Sequence, residues 1–229
     1  MSTISQWDQA ANSYLDSQEA SNHAKKNREI VMKHFSDLKN KKVLDLGCGY
    51  GWYTHYFSSI HADVIGVDGS SSMIKLAKEK YPSLQFDVYD IEQPLPYSDN
   101  SFDLVFCNQV LMDVKNIASV IQEVQRITKD KGLFYVSITH PAFYDGEWLC
   151  DENGYKSAKV MKNYLSEINY DNEFWGKTKH YHRPLSTYLN LFCDHHFRLV
   201  HMEEPHIYDN TKQSSEIPLF IMMEFEKLK

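Results

Sequence analysis

Three glycines at alternate positions follow a short apolar stretch in the first quarter of the chain. The segment is VLDLGCGYG, residues 43–51, and it predicts a buried strand that enters a tight turn before a helix. Gly47, Gly49 and Gly51 would let the backbone turn sharply and let a ligand approach it closely. The segment therefore predicts a binding loop at the carboxyl end of a strand, where open α/β sheets bind their ligands.

A carboxylate at the end of the next apolar segment supports this prediction. Asp68 ends DVIGVD and is followed by Gly69, about 20 residues after Gly47. A carboxylate in this place can accept hydrogen bonds from both hydroxyls of an adenosine ribose. Asp45, just before the glycines, adds a second acid to the pattern. The motif predicts a nucleoside-containing cofactor, and the alternative is a tight turn beside an exposed acid.

NAD is the rival among such cofactors. Its fingerprint, G-x-G-x-x-G, requires a third glycine at position 52, and this position is Trp52. A tryptophan would obstruct the close packing of helix on strand that this glycine normally permits. The spacing therefore argues against NAD.

These motifs resemble those of the class I S-adenosylmethionine-dependent methyltransferases. VLDLGCGYG resembles the first motif of that family and VIGVDGSSSMI resembles the second. The resemblance implies that Gly47, Gly49 and Gly51 hold the methionyl end of S-adenosylmethionine and that Asp68 holds its ribose. The family often has one or two histidines where this chain has Met112-Asp113, which leaves the role of this position open.

The resemblance also covers the third and fourth predicted strands. An acid followed by an apolar residue after the third strand cradles adenine in this family, and the matching pair is Asp90-Ile91 in FDVYDIEQPLPY. Asn108 would lie just past the fourth strand, beside the cofactor. Asp45 and Gly69 complete the positions that we predict to bind the cofactor within the sheet domain.

Alternating strand and helix patterns predict the sheet that positions these groups. The resemblance is good over residues 40–140 and looser over 184–228. It implies an α/β, Rossmann-like, seven-stranded and mostly parallel sheet, with an antiparallel last strand and helices on both faces. We expect one domain with four parts: an N-terminal helical lid (1–38), a cofactor-binding core (39–140), an acceptor-site insertion (141–183), and a C-terminal helix with strands (184–229).

Two of these parts are predicted to cover the site. Residues 1–38 form two polar helices in which Trp7 and Tyr14 are candidates for a lid, with Tyr14 contacting the cofactor; alternatively, both rings only attach the helices to the core. Residues 141–183 lose the regular pattern and are rich in Tyr and Trp. Long irregular segments in compact domains are often functional, so this one is predicted to form the acceptor site. The alternative is an insertion packed on the outer sheet.

Two residues that bracket this insertion could act on the acceptor. His140 is a candidate general base, because imidazole titrates near neutrality, although a structural histidine is the alternative. Arg183 is a candidate anchor for an acidic acceptor, with a surface salt bridge as the alternative. His180 and His182 would share one face of an extended segment. No carboxylate or cysteine has obvious partner spacing to them, so no metal site is predicted.

Composition restricts the acceptor and the compartment. A formal charge of −7 argues against nucleic acid, which is bound mainly through Lys and Arg. The four cysteines include no C-x-x-C pair, and no apolar run approaches the ~20 residues of a membrane span, so we expect a cytosolic protein without membrane association.

The predicted function is methylation of a small molecule, with S-adenosylhomocysteine as the product. The alternatives are a tRNA or protein methyltransferase of the same fold and a non-catalytic S-adenosylmethionine-binding module. The acceptor, the atom methylated and the oligomeric state are not predicted.

Overall fold

A computed structural model of the chain describes residues 2–206 and 212–229. The helices in this part of the chain are α1 (Thr3–Ala20), α2 (Asn22–His34), α3 (Trp52–Ser59), α4 (Ser71–Lys80), α5 (Ile117–Ile127) and α6 (Leu185–Asp194). The strands are β1 (Lys42–Leu46), β2 (Asp63–Asp68), β3 (Gln85–Val88), β4 (Phe102–Asn108), β5 (Thr128–Thr139), β6 (Glu147–Cys150), β7 (Lys156–Val160), β8 (Ile168–Asn172), β9 (Thr178–His182), β10 (Phe197–Glu203) and β11 (Phe220–Lys227). A 3-10 turn, Leu111–Asp113, follows β4.

The main sheet confirms the predicted Rossmann-like architecture. Within residues 2–206 and 212–229 it has seven strands in the order β10-β11-β5-β4-β1-β2-β3. Strands β1 to β5 pair in parallel, and β11 runs antiparallel to both β5 and β10. The parallel order brings the carboxyl ends of β1, β2 and β4 to one edge of the sheet, where ligands bind in such folds.

Helices cover both faces of this sheet, as predicted. The apolar stripe of α5 is fully buried and packs with strand residues such as Phe134 on one face. On the other face, Val31 and Phe35 from the α2 region pack against Phe57 and Phe106. Burial on both faces explains why the central strands are nearly continuous apolar runs in the sequence.

Gly51 fits α3 closely against the sheet. It has φ +83°, and a Cβ atom there would lie 2.6 Å from Cζ of Phe86 and 3.2 Å from Cβ of Ala77. A side chain would therefore be strained by the backbone and by the neighbouring residues. The third glycine of the loop thus serves close packing here, and Trp52 begins the helix after it.

Residues 141–183 are more regular than predicted. They contain two antiparallel pairs, β6 with β7 and β8 with β9. Strand β9 buries Thr178, His180 and His182 and turns the residues between them outward. Because the buried positions are polar, the alternation is not visible in a hydrophobicity pattern, and the prediction of an irregular segment was wrong.

Two element boundaries complete the description. Strand β5 begins at Thr128, four residues before Gly132, and Pro184 lies just before α6. The antiparallel pair predicted at the C-terminus is confirmed by β10 and β11. Residues 207–211, between β10 and β11 in the sequence, lie outside the described residues. Among the described helices, none is both long and apolar enough to cross a bilayer.

Candidate functional site

The glycine loop is tied to the end of β2 by backbone hydrogen bonds. Gly47 and Cys48 donate their N–H groups to the carbonyl of Val67, at 2.8 and 2.9 Å. Gly47 has φ +76°, and a Cβ atom on it would lie 2.5 Å from Cγ2 of Val110. The close approach of these segments therefore requires glycine at position 47.

Asp68 joins the same loop to the start of α4. Its Oδ2 atom accepts the N–H of Gly49 at 2.9 Å, and its Oδ1 atom accepts the N–H of Ser70 at 2.8 Å. Burial raises the pKa of Asp68 above its usual value, although these two hydrogen bonds act in the opposite direction. The carboxylate is thus fixed in orientation on the wall of a cavity.

The first cavity lies at the carboxyl edge of the sheet, between the glycine loop and α1. From the sheet side it is lined by Gly49 and Asp68, and from α1 by Ile4 and Trp7. Most of the predicted cofactor-binding positions line it: Tyr14, Gly47, Gly49, Asp68, Gly69, Asp90, Ile91 and Asn108. The topology therefore brings together residues that are widely separated in the sequence.

Two predicted positions lie behind this surface. Asp45 is 2% exposed, and its Oδ2 atom accepts the hydroxyl of Thr54 at 2.6 Å. Burial raises the pKa of Asp45 to about 7, while the bond from Thr54 lowers it. Gly51 packs against Phe86 as described above. Neither Asp45 nor Gly51 lines this cavity or the second one described below. Both lie behind the glycine loop and support it.

A side-chain oxygen on the cavity wall lacks a hydrogen-bond donor among the described residues and could accept one from a ligand. The Nδ2 atom of Asn108 donates to Oδ1 of Asn27 at 3.1 Å, whereas Oδ1 of Asn108 is buried without a protein partner among the described residues. An unsatisfied buried oxygen costs about 1–3 kcal/mol. An ammonium or hydroxyl group of a ligand would remove this cost.

Helix α1 is attached over the first cavity by a carboxylate. The Oδ1 atom of Asp8 accepts the N–H of Ser72 at 2.9 Å and the hydroxyl of Ser70 at 2.8 Å, at the N-terminus of α4. Burial acts to raise the pKa of Asp8, but these hydrogen bonds outweigh it and lower the pKa below the usual value. The helix N-terminus favours such a negative charge.

A second cavity of about 410 Å³ opens beside the first. Its walls include Tyr144 and Phe220 on the sheet side and Trp175 from the β8–β9 hairpin. The ring of Trp175 lies 5.9 Å from that of Trp7 and 5.1 Å from that of Tyr14. The two cavities share wall residues: Trp7, Tyr14, Gly47, Gly49, Asn108, Gln109 and Asp113.

Asp113 and His180 meet in the shared region, and the sequence did not reveal this pair. Nδ1 of His180 lies 3.4 Å from Oδ1 of Asp113, and its Nε2 atom lies 3.3 Å from the hydroxyl of Thr139. Burial raises the pKa of Asp113, although the bond to His180 lowers it. The signals in the sequence were the departure from the family at Met112-Asp113 and the two histidines of one strand face, which were considered only as metal ligands.

His140 does not face either cavity. Its Nε2 atom lies 2.7 Å from Oε1 of Glu204, and its Nδ1 atom accepts the N–H of Ala142 at 3.1 Å. Both ring nitrogens are occupied, and burial lowers the pKa of His140. The ring thus lies away from the two cavities and holds the turn after β5, so its assignment as general base gains no support from the geometry.

Arg183 is also structural. Its Nη2 atom donates to the carbonyls of Val114 and Lys115, at 2.7 and 2.9 Å, and Nη1 donates to that of Leu111 at 3.4 Å. The side chain is 7% exposed and lies outside the residues that line the cavities. Its donors fix the 3-10 turn that carries Asp113, so its assignment as an acceptor anchor gains no support from the geometry.

The two histidines of β9 have different partners. His180 faces Asp113, as described, whereas His182 has Nδ1 at 3.2 Å from Oδ2 of Asp145 and Nε2 at 2.9 Å from the carbonyl oxygen of Tyr164. The part of the chain that the structure describes contains no group of three or more His, Cys, Asp or Glu residues that could hold a metal ion.

Comparisons with known proteins agree with this geometry. Residues 37–185 match the family model described as "Methyltransferase domain". The fold is similar to that of a candidate S-adenosylmethionine-dependent methyltransferase from Listeria monocytogenes, with a TM-score of 0.77 and 26% identity, covering 89% of this chain and 97% of the other.

Two curated relatives match about half of the chain. Demethylmenaquinone methyltransferase of Renibacterium salmoninarum is 31% identical over 117 residues, covering 51% of this chain and 49% of the relative. Malonyl-[acyl-carrier protein] O-methyltransferase of Hamiltonella defensa is 31% identical over 107 residues, covering 47% and 41%. The chain thus matches less than half of the length of each of these relatives.

The buried carboxyl group of Asp45 makes a testable contribution to stability. An aspartic acid in an unfolded chain has a pKa of about 3.9, and burial raises that of Asp45 to about 7. The folded state therefore keeps this proton to a higher pH, so the stabilisation is present below about pH 4 and is lost as the pH rises toward 7. From pH 5 to pH 7 we expect this group to lower the free energy of unfolding by on the order of 2 kcal/mol.

Urea unfolding across this pH range checks the expectation. Asp45→Asn, which does not titrate, should lose this part of the pH dependence. Asp63→Asn, at the exposed start of β2, should keep it. Equal pH dependence in the wild type and in Asp45→Asn would contradict the assignment.

Proposed function

The chain belongs to the methyltransferase domain family, and we propose that it is an enzyme that transfers a methyl group from S-adenosylmethionine to a small molecule. The observation that carries the proposal is the shared wall of the two cavities. Gly49, Asn108 and Asp113 line both, so a cofactor in the first cavity and an acceptor in the second would meet there. Methyl transfer requires that the methyl group of the cofactor face the nucleophilic atom of the acceptor in this way.

In this proposal the sheet residues of the first cavity bind the cofactor. Asp68 accepts the ribose hydroxyls, and Asp90 with Ile91 lies beside the adenine. The loop of Gly47 and Gly49 takes the methionyl end. The support comes from the fixed orientation of the Asp68 carboxylate and from the position of all these residues on one cavity wall.

S-adenosylmethionine supplies a methyl group bonded to a positively charged sulfur. The leaving group is the neutral thioether S-adenosylhomocysteine, which needs no activation by the protein. The work of the chain is then to align the two molecules and to exclude water. Trp7 and Tyr14 line both cavities and are suited to this task. Burial raises the pKa of Tyr14 far above its usual value, so its hydroxyl stays protonated and neutral.

The second cavity favours a small acceptor over a macromolecule. Its walls are rich in aromatic residues, among them Tyr144, Trp175 and Phe220, and its volume is within the range of small-molecule sites. The names of the two curated relatives refer to demethylmenaquinone and to malonyl-[acyl-carrier protein]. Because these acceptors differ, we propose the class of acceptor and not its identity.

We also propose that α1 is a lid. It contributes Ile4, Trp7 and Tyr14 to the first cavity, and it is held to α4 by Asp8 and by an ion pair between Glu19 and Lys80. Such polar attachments at a helix end are worth about 1 kcal/mol, which is small enough to allow repeated opening. The cofactor could then enter by movement of α1 while the sheet stays folded.

Transfer of a labelled methyl group tests the function. Protein incubated with methyl-labelled S-adenosylmethionine and a small-molecule extract should label a low-molecular-weight product. Phe220→Ala, which removes a wall of the second cavity, should lower the transfer at least several-fold while the affinity for S-adenosylhomocysteine stays within about twofold. Leu165→Ala, on an exposed part of the insertion, is the control. Label only in RNA or protein would contradict the proposal.

Asp68→Ala tests the cofactor site by calorimetry. Losing hydrogen bonds from the ribose to a charged acceptor costs about 1.5–3 kcal/mol, so the affinity for S-adenosylhomocysteine should fall about 10- to 150-fold. Asp63→Ala, at the opposite end of β2, should bind as the wild type does. Unchanged affinity in a folded Asp68→Ala protein would remove Asp68 from the site.

Release of S-adenosylhomocysteine tests the lid. Asp8→Ala removes the attachment of α1 to α4, so dissociation measured by stopped-flow tryptophan fluorescence should become about fivefold faster. Asp16→Ala, at an exposed position of the same helix, should leave the rate unchanged. If both variants release the product at the wild-type rate, α1 is a fixed wall and not a lid.

A further inference from the structure

Three polar side chains from separate elements form a chain on the wall of the second cavity. Asp113 ends the 3-10 turn after β4, His180 lies in the middle of β9, and Thr139 ends β5. The carboxylate lies 3.4 Å from Nδ1 of His180, and the hydroxyl of Thr139 lies 3.3 Å from Nε2. All three line the cavity, and Asp113 also lines the first cavity.

The chain is shielded from bulk solvent. The side chain of His180 is 4% exposed, that of Asp113 is 13% exposed, and Thr139 is 8% exposed. A carboxylate beside Nδ1 favours the tautomer that carries its proton there, which leaves the lone pair of Nε2 to the hydroxyl of Thr139. At 3.3 Å this contact is longer than a usual hydrogen bond, so a hydroxyl or amine group of an acceptor bound in the cavity can replace it at Nε2. An imidazole in this tautomer can accept a proton at Nε2 while the carboxylate stabilises the charge that the ring gains.

The other groups packed around His180 leave Asp113 as its anionic partner. Tyr144 stacks on the imidazole with ring centroids 5.8 Å apart, and Tyr170 lies at 5.0 Å. Burial raises the pKa of Tyr144 to about 12, so this hydroxyl is neutral at physiological pH. Asp145, from the segment between β5 and β6, accepts the hydroxyl of Tyr170 and pairs with His182.

We propose that His180 is the general base of the acceptor site, with Asp113 and Thr139 as its positioning residues. The inference rests on the proposed function. As the acceptor heteroatom gains the methyl group and the carbon–sulfur bond breaks, the electron pair of that bond remains on sulfur. The proton of the heteroatom passes to Nε2 of His180, which becomes an imidazolium ion stabilised by the carboxylate of Asp113.

This assignment restricts the acceptor to molecules with a proton to lose. The walls of the second cavity are largely aromatic. Arg28 also lines it, but its guanidinium group already donates to the hydroxyl of Tyr50 and to the carbonyl of Gln18 and lies over the ring of Trp52. A neutral, planar hydroxyl or amine compound, such as a phenol or an aromatic amine, fits these walls better than a strongly charged metabolite.

His182 offers a matched control for a mutational test of His180. It lies on the same buried side of β9 as His180, but outside the residues that line the cavities. In the labelled-transfer assay, His180→Gln should lower the rate at pH 7 about 100-fold, while His182→Gln retains it within about threefold. The affinity of His180→Gln for S-adenosylhomocysteine should stay within about twofold.

The pH dependence separates a base from a structural residue. The rate of His180→Gln should recover as the pH rises, because the acceptor then loses its proton without help. Thr139→Val and Asp113→Asn should lower the rate less than His180→Gln does. A loss of rate in His180→Gln that is the same at every pH, or no loss, would overturn the proposal.

The tautomer of labelled histidine, read by nitrogen NMR, tests the pair without turnover. In the wild type His180 should carry its proton on Nδ1, beside the carboxylate of Asp113, and Asp113→Ala should shift that proton toward Nε2, whereas His182→Gln should not. An unchanged tautomer in Asp113→Ala overturns the coupling of the pair and with it the proposal. If the wild type labels no small molecule, the proposed function has failed, and the tautomer still decides whether Asp113 orients His180.

Discussion

The structure of the site depends on the closure of the glycine loop against the end of β2. The carboxylate of Asp68 accepts N–H groups from Gly49 and Ser70, and the carbonyl of Val67 accepts those of Gly47 and Cys48. These bonds fix the loop, the strand end and the start of α4 relative to one another. The first cavity exists because the three segments are held in this way, and α1 is attached to the same helix end through Asp8.

A second set of buried polar contacts positions the residues between the two cavities. Arg183 donates to carbonyls in and after the 3-10 turn and so holds Asp113 in place. His182 and Asp145 join β9 to the segment after β5, outside the cavity walls. Arg183 is thus engaged with backbone carbonyls, and His180, two residues before His182 in β9, is the histidine of this strand that lines the cavity.

The fold could be predicted well from the sequence because its signals are local. The strand, glycine turn and helix around Gly47, and the stripe of α5, are encoded within a few neighbouring residues. The meeting of Asp68, Asp90 and Asn108 could be predicted because each lies at or just after the end of a recognisable strand, and the parallel order of the sheet brings strand ends together.

The acceptor side could not be predicted in the same way. Asp113, Thr139 and His180 come from three elements, and their meeting depends on the path of β9, whose buried residues are polar and give no hydrophobic pattern. His140 and Arg183 were selected for their chemistry at the ends of the insertion. Their partners, Glu204 and the backbone carbonyls near Leu111, depend on tertiary packing that sequence spacing does not reveal.

The central claim is that the cofactor and the acceptor occupy two cavities that share one wall. A crystal structure of the protein with S-adenosylhomocysteine tests it most directly. Our account predicts that the ribose hydroxyls lie within hydrogen-bonding distance of Asp68 and that the second cavity, from Asn108 to Phe220, stays open beside the ligand. A ligand bound away from the glycine loop, or one that fills the second cavity, would contradict it.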